Sequence, residues 1–341
     1  MSKRVVTFGE IMMRLNPQGY LRFVQAQSFD LTFGGGEANV AASLAQFGLP
    51  ASFVTAVPKH EIGDCAVNWL RRFGVDTSFI LRQGERLGIY FLEFGASQRP
   101  SKVIYDRANS SISQVKPGDF DWEKILAGAG WFHFTGITPA LGDGPAEACL
   151  AAVQTAKKLG LTVSADLNYR KKLWSREKAR EVMSKLMPYV DMAIANEEDA
   201  EMVFGIKARD TDVTAGALSS EGYKDVAKQL QEMFGFKQVA ITLRESISAS
   251  DNNWSALLYD GGTFYNSRKY KVHIVDRVGG GDSFGAGLIY SYLTGKSPDQ
   301  AVQFAVAASC LKHTIFGDLN LVSAAEVETL AGGDASGRVQ R

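Results

Sequence analysis

The feature that most constrains this chain is a run of nine residues near its C-terminal end, Gly279-Gly280-Gly281-Asp282-Ser283-Phe284-Gly285-Ala286-Gly287. Three glycines predict a sharp turn, and Asp282 then begins an apolar helix that contains two more glycines. The first N–H groups of a helix have no intrahelical partner, and the helix dipole favours negative charge there, so the turn predicts an anion site. A carboxylate beside such a site is suited to take the proton of a hydroxyl that attacks a phosphate.

A plain N-cap aspartate after a flexible turn is the alternative interpretation of the same residues. Gly285 and Gly287 lie inside the predicted helix, where a glycine costs roughly 0.5–1 kcal/mol relative to alanine. The N-cap interpretation leaves these two glycines unexplained, so we favour the anion site.

The bulk properties are those of an ordinary globular chain. Of 341 residues, 45% are hydrophobic and 22% are charged, and Lys+Arg and Asp+Glu both number 37. With no net field to recruit nucleic acid or an anionic membrane, we expect neither as a partner. The three cysteines are far apart, which predicts no disulfide framework and favours a reducing compartment. Without a signal-peptide pattern or an apolar run of ~18 residues, we expect a soluble cytoplasmic protein.

Short apolar strands alternate with helical patterns along most of the chain, which predicts an α/β fold whose mostly parallel sheet is covered by helices on both faces. In such sheets ligands bind beyond the carboxyl ends of the strands. The predicted strands are residues 4–9, 53–57, 130–134, 162–166, 190–195 and 238–243. The predicted helices are residues 37–48, 61–73, 144–160, 175–187, 222–235, 281–294 and 298–313.

Two segments, residues 14–33 and 86–107, interrupt this alternation and predict a small separate β-sheet. The second segment has the period-two pattern of a hairpin. Its two apolar faces suggest that one covers a ligand and the other meets a second subunit. An edge extension of the main sheet is the alternative.

Several other patterns carry little functional information. Residues 294–297 read Thr-Gly-Lys-Ser, but the upstream glycine of a P-loop is missing. Helix-end rules explain them better, because Ser297 and Gln300 predict a capping box with a proline between them. Gly34-Gly35-Gly36 is no dinucleotide fingerprint, the four histidines are scattered, and a nucleophile elbow is absent.

Two glycine-rich motifs at opposite ends of the chain together identify a family. One is Gly34-Gly35-Gly36-Glu37-Ala38-Asn39-Val40-Ala41, and the other runs from Asp276 to Gly287. From about residue 4 to residue 330 the chain resembles the ribokinase-like (PfkB) carbohydrate kinases, with Gly280 where alanine is usual, a change we expect to leave the turn intact. The resemblance implies a three-layer sandwich with a β-sheet lid and phosphoryl transfer from ATP to a sugar alcohol. It implies that Asp282 is the catalytic base and that the N–H groups of Gly279, Gly280, Gly281 and Asp282 form the anion hole.

On this resemblance the chain divides into a kinase core and a β-lid. The core comprises residues 1–13, 34–85 and 108–331, and the lid comprises residues 14–33 and 86–107. Residues 207–222 are polar and predict a surface loop, and residues 332–341 predict a disordered tail.

Within the family, the chain most resembles the 2-keto-3-deoxygluconate kinases. Kinases for ribose and fructose place an aspartate after the first strand to bind sugar hydroxyls, and Arg14 stands at the corresponding position here. Arginines and tyrosines suit an acid sugar, because a guanidinium grips a carboxylate through two hydrogen bonds and a phenol bonds hydroxyls. The substrate-binding residues implied by the resemblance are Gly34, Gly35, Asn39, Tyr90, Tyr105, Arg107 and Arg170.

The nucleotide side departs from the family pattern in two places. Residues 196–199 read Asn-Glu-Glu-Asp where the family has an Asn-x-x-Glu motif that organises water around Mg²⁺. Asp199 and Glu198 are therefore the implied magnesium residues, acting through water. Arg244 stands where many members have the glycine of a Thr-x-Gly motif. The ATP-binding residues implied by the resemblance are Asn168, Asn196, Thr242, Arg244, Gly317 and Asn320, and a monovalent cation (K⁺) site near Asp276 is a further family feature.

Three functional hypotheses follow. The leading one is ATP-dependent phosphorylation of the primary hydroxyl of an acid sugar, 2-keto-3-deoxygluconate, by a homo-oligomer that associates through its β-lid. The second is kinase action on fructose, ribose, a nucleoside or 5-keto-2-deoxygluconate. The third is a non-catalytic sugar sensor, since a fold does not fix a function. The retained Asp282 and its glycines argue against the third.

Overall fold

The computed structural model describes residues 3–196, 198–208 and 220–337. Most of the predicted loop at residues 207–222, and residues 338–341 of the predicted tail, lie outside the described residues. Within the described part, no helix combines the length and the apolar character needed to cross a membrane.

The strands form two separate sheets. Their bounds are β1 Arg4–Phe8, β2 Met12–Asn16, β3 Asp30–Gly34, β4 Ala51–Val57, β5 Ile80–Arg82, β6 Gly88–Glu93, β7 Lys102–Asp106, β8 Ala129–Thr135, β9 Thr162–Asp166, β10 Met192–Ala195, β11 Gln238–Ser246, β12 Asp251–Tyr259, β13 Phe264–Asn266 and β14 Tyr270–His273. The main sheet has the order β13-β12-β11-β10-β9-β8-β1-β4-β5, with β14 also paired to β12. Its strands from β11 to β5 are parallel, whereas β12 is antiparallel to each of its partners.

Helices cover both faces of the main sheet. Their bounds are α1 Gly36–Gln46, α2 Glu61–Arg72, α3 Trp122–Leu126, α4 Asp143–Lys158, α5 Arg176–Leu186, α6 Asp199–Phe204, α7 Ser220–Phe234, α8 Gly280–Leu293, α9 Pro298–Lys312 and α10 Ala324–Gly332. One core lies against α3 to α7 and contains Val6 and Phe8 of β1. The other core lies against α1, α2, α8, α9 and α10 and contains Val5 of the same strand. Because side chains alternate along a strand, β1 contributes to both cores, and the predicted three-layer α/β architecture is confirmed.

Every strand and helix predicted above is present, with bounds that shift by no more than three residues. The short parallel strand β5, the antiparallel strands β12 to β14 and the short helices α3, α6 and α10 were not predicted. The first half of β12 begins Asp251-Asn252-Asn253, and this polar composition conceals a strand whose residues are alternately buried. The capping box at the start of α9 is confirmed: the N–H of Gln300 donates to Ser297 Oγ at 3.3 Å and the N–H of Ser297 donates to Gln300 Oε1 at 3.0 Å.

The small sheet has the order β3-β2-β6-β7 and is separate from the main sheet, so the alternative of an edge extension is wrong. Met12, Tyr90, Val103 and Tyr105 lie on the face towards the main body and line a cleft there. The small sheet therefore covers the cleft as a lid. Strand β2 begins at Met12 and β3 ends at Gly34, slightly beyond the predicted lid segment; the division into core and lid domains stays a prediction.

Candidate active site

The cleft between the lid and the main sheet gathers most of the predicted site residues. It lies at the carboxyl ends of the parallel strands, where an α/β sheet normally binds its ligands. The predicted residues that line it are Gly34, Gly35, Asn39, Tyr90, Tyr105, Arg107, Asn168, Arg170, Asn196, Asp199, Thr242, Arg244 and the turn Gly279, Gly280, Gly281 and Asp282. Residues from both ends of the chain thus meet in one cavity.

Asp282 lies in the first turn of α8 and lines the cleft. Asn39 Nδ2 donates a hydrogen bond to Asp282 Oδ2 at 2.7 Å. Removal from water raises the pKa of Asp282 to about 6, even though the Asn39 hydrogen bond and the positive charges of Arg170 and Lys312 oppose the rise. A carboxylate with this pKa is mostly ionised at neutral pH and is a better proton acceptor than an exposed aspartate.

The turn before Asp282 requires glycine at its first residue and leads into N–H groups without intrahelical partners. Gly279 has φ +84°, and a Cβ at this position would lie 2.0 Å from the carbonyl oxygen of Asp318, so only glycine fits. The N–H of Ser283 bonds to the Gly279 carbonyl at 2.9 Å. The N–H groups of Gly281 and Asp282 precede it in the first turn of α8, where no intrahelical carbonyl is available to them. They can therefore donate to an anion in the cleft.

His313 leaves no room for a side chain at residue 280. A Cβ at residue 280 would lie 2.5 Å from His313 Cε1, whereas a Cβ at Gly281 would meet nothing within 4 Å. The histidine ring is fixed by a 2.6 Å hydrogen bond between Nδ1 and the carbonyl of Ser309 and by the ring of Trp254, whose centroid is 4.9 Å away. The turn is intact with glycine at residue 280, as expected, and the bulky His313 occupies the space that the methyl group of an alanine would need.

The lid side of the cleft carries a positively charged group with an unused donor. Arg107 forms a buried ion pair with Glu10, which also accepts a hydrogen bond from Ser110 Oγ at 2.8 Å. Arg107 Nε is buried and has no hydrogen-bond partner among the described residues. The Arg107 guanidinium also lies over the ring of Tyr105, 5.3 Å from its centroid. A buried donor without a partner is costly, so Arg107 Nε is a candidate to donate to a ligand oxygen in the cleft.

Arg14 does not line the cleft, although its position corresponds to a sugar-binding aspartate in related kinases. It is fully buried and pairs with Asp276 at 2.5 Å and with Asp318 at 2.7 Å. Burial alone would lower the pKa of Arg14, but the two carboxylates outweigh it and raise the pKa. Tyr90 Oη donates to Asp318 at 2.6 Å, and this aspartate lines the cleft. A carboxylate from the segment after α9 therefore stands beside the predicted sugar site.

Two further carboxylates line the floor of the cleft. Burial raises the pKa of Asp166 well above its usual value, and the charges of Asp199 and Asp282 add to the rise. Burial also raises the pKa of Asp199, whose two oxygens accept the N–H groups of Tyr169 at 3.0 Å and Asn196 at 3.1 Å. No group of three His, Cys, Asp or Glu residues in the described chain is arranged to hold a metal directly. Oxygen donors that are already hydrogen-bonded fit a hydrated Mg²⁺, which keeps several of its waters.

The opposite end of the cleft is positively charged and contains unpaired polar atoms. Arg244 and Arg277 both line it. Burial lowers the pKa of Arg277, and the nearby charge of Arg244 lowers it further. Asn252 lies in the same wall and is 1% exposed, and neither its Nδ2 nor its Oδ1 has a hydrogen-bond partner among the described residues. Two like charges beside an unpaired amide are suited to a polar anion such as a phosphate chain.

Three predicted residues are not brought to the cleft. Glu198 is exposed, and its N–H bonds to Asn196 Oδ1 at 2.8 Å. Gly317 donates its N–H to Asp276 Oδ2 at 3.0 Å. Asn320 is buried and donates to Ser283 Oγ at 2.7 Å. Gly317 and Asn320 therefore support the loop before α8 and the first turn of that helix, and ligand contacts for the three residues stay predictions.

The sequence reasoning missed Asp318, Asp166, Arg277 and Asn252 as residues of the cleft. Asp166 is the last residue of strand β9, and Arg277 lies two residues before Gly279. Its position at a strand end could have predicted Asp166 as a cleft residue, and its position beside the glycine motif could have predicted Arg277. Asp318 lies two residues before the predicted Asn320. Asn252 is brought to the cleft by the antiparallel strand β12, which the sequence pattern did not reveal.

The comparisons with known proteins agree with this geometry. A model of the pfkB family of carbohydrate kinases matches residues 2–323, and the chain belongs to that family. It is a carbohydrate kinase with a ribokinase-like fold. The alternative of a non-catalytic sensor thereby loses its support.

Individual relatives within the family are named as kinases of particular sugar acids. A 2-dehydro-3-deoxygalactonokinase from Haloferax volcanii is 34% identical over 98% of this chain and 99% of its own length. A 5-dehydro-2-deoxygluconokinase from Shouchella clausii is 28% identical over 91% of this chain and 90% of its own length. The crystal structure of a 2-dehydro-3-deoxygluconokinase from Thermotoga maritima superposes with a TM-score of 0.94 at 54% identity, covering 97% of this chain and 100% of that one. The chain is thus similar to kinases of acid sugars over its whole described length.

The contact between residue 280 and His313 yields a stability prediction. We expect Gly280→Ala to lower the free energy of unfolding by about 1–3 kcal/mol, because the added methyl group overpacks a fixed ring. The matched control is Gly281→Ala, which adds the same methyl group to the same helical turn in open space and should not destabilise. Urea unfolding of the two variants checks this. Equal stabilities for the two variants would contradict the proposed contact.

Proposed function

We propose that this kinase transfers the γ-phosphoryl group of ATP to the primary hydroxyl of a 2-keto-3-deoxy sugar acid, with 2-keto-3-deoxygluconate as the first candidate. The observation that carries the proposal is the position of the Asp282 carboxylate, which lies beside the first-turn N–H groups of α8 and faces the lid residues across one cleft. A hydroxyl bound on the lid side and a phosphate bound at the turn would meet at this carboxylate.

In this proposal Asp282 accepts the proton of the attacking hydroxyl. Asn39 holds the carboxylate through its 2.7 Å hydrogen bond and so fixes its direction. The N–H groups of Gly281 and Asp282 stabilise negative charge on the transferred phosphoryl group. Since phosphoryl transfer has a loose transition state, positioning and charge stabilisation contribute more than the strength of the base.

The acid-sugar assignment rests on the charge of the lid side. The buried Arg107 Nε has no partner among the described residues, and Arg170 lines the same cleft. A hydroxyl of a neutral sugar can also accept a hydrogen bond from this donor, but a carboxylate accepts a stronger, charge-assisted one. Tyr90 and Asp318 are already joined by a hydrogen bond and present a carboxylate to sugar hydroxyls.

The nucleotide is proposed to lie along the wall that carries Arg244, Arg277 and Asn252, with its phosphates directed towards the turn of α8. Mg²⁺, bound with the phosphates and held through water by Asp166 and Asp199, would supply charge neutralisation. Within the chain itself, Arg244 and Arg277 orient the phosphates, and the amide of Asn252 provides the N–H donors of Nδ2 and the acceptor Oδ1. Cytoplasmic localisation is also part of the proposal.

A second candidate substrate is 5-keto-2-deoxygluconate, since a relative that covers nearly the whole chain bears that name. A third candidate is 2-keto-3-deoxygalactonate, the galacto epimer of the first candidate, since another relative that covers nearly the whole chain is named for it. A coupled assay of ADP release over these three acids, with fructose and ribose as neutral comparisons, separates them by kcat/KM. An acid sugar should give the highest value; a preference for a neutral sugar would contradict the substrate assignment.

Asp282 gives the most direct test of the reaction. We expect Asp282→Asn to lower kcat by roughly 10²–10⁴-fold, because the amide cannot accept the hydroxyl proton, while sugar binding measured by calorimetry is largely kept. In the wild type, kcat/KM should fall as the pH falls below about 6, since protonation of Asp282 removes the base. Near-normal turnover in Asp282→Asn would rule out its role as the base.

Arg107 tests the acid character of the substrate. We expect Arg107→Ala to raise KM for 2-keto-3-deoxygluconate by roughly 10–100-fold, because a charge-assisted hydrogen bond to the carboxylate is lost. KM for the neutral analogue 2-keto-3-deoxyglucose should change much less. Arg107→Ala also removes the ion-pair partner of Glu10, and this loss should change KM for both sugars. The difference between the two changes in KM therefore reports the contact with the substrate carboxylate. Arg86→Ala, which removes an exposed partner of Asp106, is the matched control. An equal effect on both sugars would contradict the assignment.

The outer face of the lid is proposed to join two copies of the chain. Leu31 and Ile104, on the edge strands β3 and β7, are 48% and 43% exposed, and both stand on the face away from the cleft. We expect the wild type to be at least a dimer by light scattering and Ile104→Glu to dissociate it, since a buried unpaired charge is unfavourable. Ile62→Glu on α2, at an equally exposed isoleucine, is the control. A monomeric wild type would contradict this interface.

A further inference from the structure

Lys312 is a fully buried lysine with no role in the proposed reaction so far. It is the last residue of α9 and is 0% exposed. Its Nζ donates to the carbonyl oxygens of Ile315 at 3.1 Å and Asp276 at 3.3 Å. Burial lowers the pKa of Lys312, and the charges of Asp276 and Asp318 oppose that shift. A buried ammonium is unfavourable unless the surrounding groups require a positive charge.

The surroundings of Lys312 are those expected of a small cation site. Backbone carbonyls and one carboxylate are the oxygen donors that bind a monovalent ion in proteins. The resemblance to related kinases places such a site near Asp276, so the residues present can be compared with it. Here the Asp276 carboxylate is bonded to Arg14 and to the N–H groups of Val278 and Gly317, and its carbonyl is bonded to Lys312.

A free K⁺ does not fit at this position. Its oxygen donors are already hydrogen-bonded to nitrogen donors, and two of these, Arg14 and Lys312, are positively charged. Arg14 and Lys312 already balance the charges of Asp276 and Asp318, so a third cation would add an uncompensated positive charge in a region of low dielectric. The expectation of a monovalent cation site near Asp276 therefore disagrees with the residues that this chain has there.

Lys312 also lies directly under the anion hole. A Cβ on Gly279 would stand 3.2 Å from Lys312 Cε, so the lysine stem packs against the first residue of the turn. Its positive charge reaches Asp282, where it favours the ionised carboxylate. The ammonium thus ties the backbone of residue 276, just before the turn, to that of residue 315, just after α9.

We propose that Lys312 is a tethered cation that takes the place of a monovalent ion, so that the chain holds its anion hole in shape without K⁺. Lys312 is a positioning residue in this view, because it touches the loop and not the reacting atoms. The inference rests on the proposed kinase reaction only for its activity readout; a second readout, thermal stability, is independent of turnover.

The test compares the wild type, Lys312→Ala and Lys312→Met in choline chloride and in equal concentrations of NaCl, KCl and NH₄Cl. In the wild type, kcat and the melting temperature should be the same in choline and in K⁺. Lys312→Ala should lose roughly 10²-fold in kcat, as for the loss of one electrostatic group at an anion hole, and K⁺ or NH₄⁺ should restore at least about tenfold. The same ions should raise its melting temperature, because a ligand that binds only the folded state stabilises it.

Lys312→Met is the matched control, since its uncharged side chain fills the space and leaves no room for an ion. It should be impaired in kcat without recovery in K⁺ or NH₄⁺. Activation or K⁺-specific stabilisation of the wild type would overturn the proposal, as would a folded Lys312→Ala that neither K⁺ nor NH₄⁺ activates or stabilises. If Lys312→Ala does not fold, the wild-type measurements alone decide. A wild type inactive on every sugar would count against the proposed function, while the melting temperatures would still test Lys312.

Discussion

Four buried charged side chains beneath the first turn of α8 connect the lid to the main body beside the cleft. Arg14 and Lys312 are the cations, and Asp276 and Asp318 are the anions, so the cluster is neutral as a whole. Removing one member of such a cluster leaves an uncompensated charge, which typically costs about 3–5 kcal/mol. Arg14 belongs to the lid, Asp276 to the loop before the glycine turn, and Lys312 to the end of α9. The same interactions therefore fix the lid and the glycine turn relative to each other.

This arrangement gives the two halves of the cleft different chemistry. The lid half presents Arg107 with an unpaired donor, and the opposite half presents Arg244, Arg277 and an unpaired Asn252. The carboxylates of the floor lie between these positive regions, and Asp282 is the one at the helix start. In the proposed reaction, an anionic sugar and a polyphosphate are held at opposite ends, and the hydroxyl and the phosphoryl group meet between them. The lid strands contribute one face to this cleft and leave an apolar face outside it.

Local patterns were sufficient to predict the parallel strands other than β5, the long helices and the separate lid sheet, and the family motifs predicted the group of cleft residues around Asp282. Each of these depends on residues close together in sequence, or on a motif with fixed spacing. The charge cluster could not be predicted, because Arg14 and Asp318 are 304 residues apart and only the folded chain shows that they pair. The need for glycine at residue 280 likewise depends on His313 in another helix. Glu198 was assigned from its motif, yet the backbone at the start of α6 leaves its side chain exposed.

The most direct test of the central claim, that a hydroxyl, the Asp282 carboxylate and the first-turn amides meet at one point, is a crystal structure with ADP, aluminium fluoride and 2-keto-3-deoxygluconate. We expect the planar fluoride group to accept hydrogen bonds from the N–H groups of Gly281 and Asp282. The primary hydroxyl of the sugar should lie about 3 Å from the Asp282 carboxylate. A fluoride group bound away from this turn, or a sugar whose primary hydroxyl points away from Asp282, would contradict the claim.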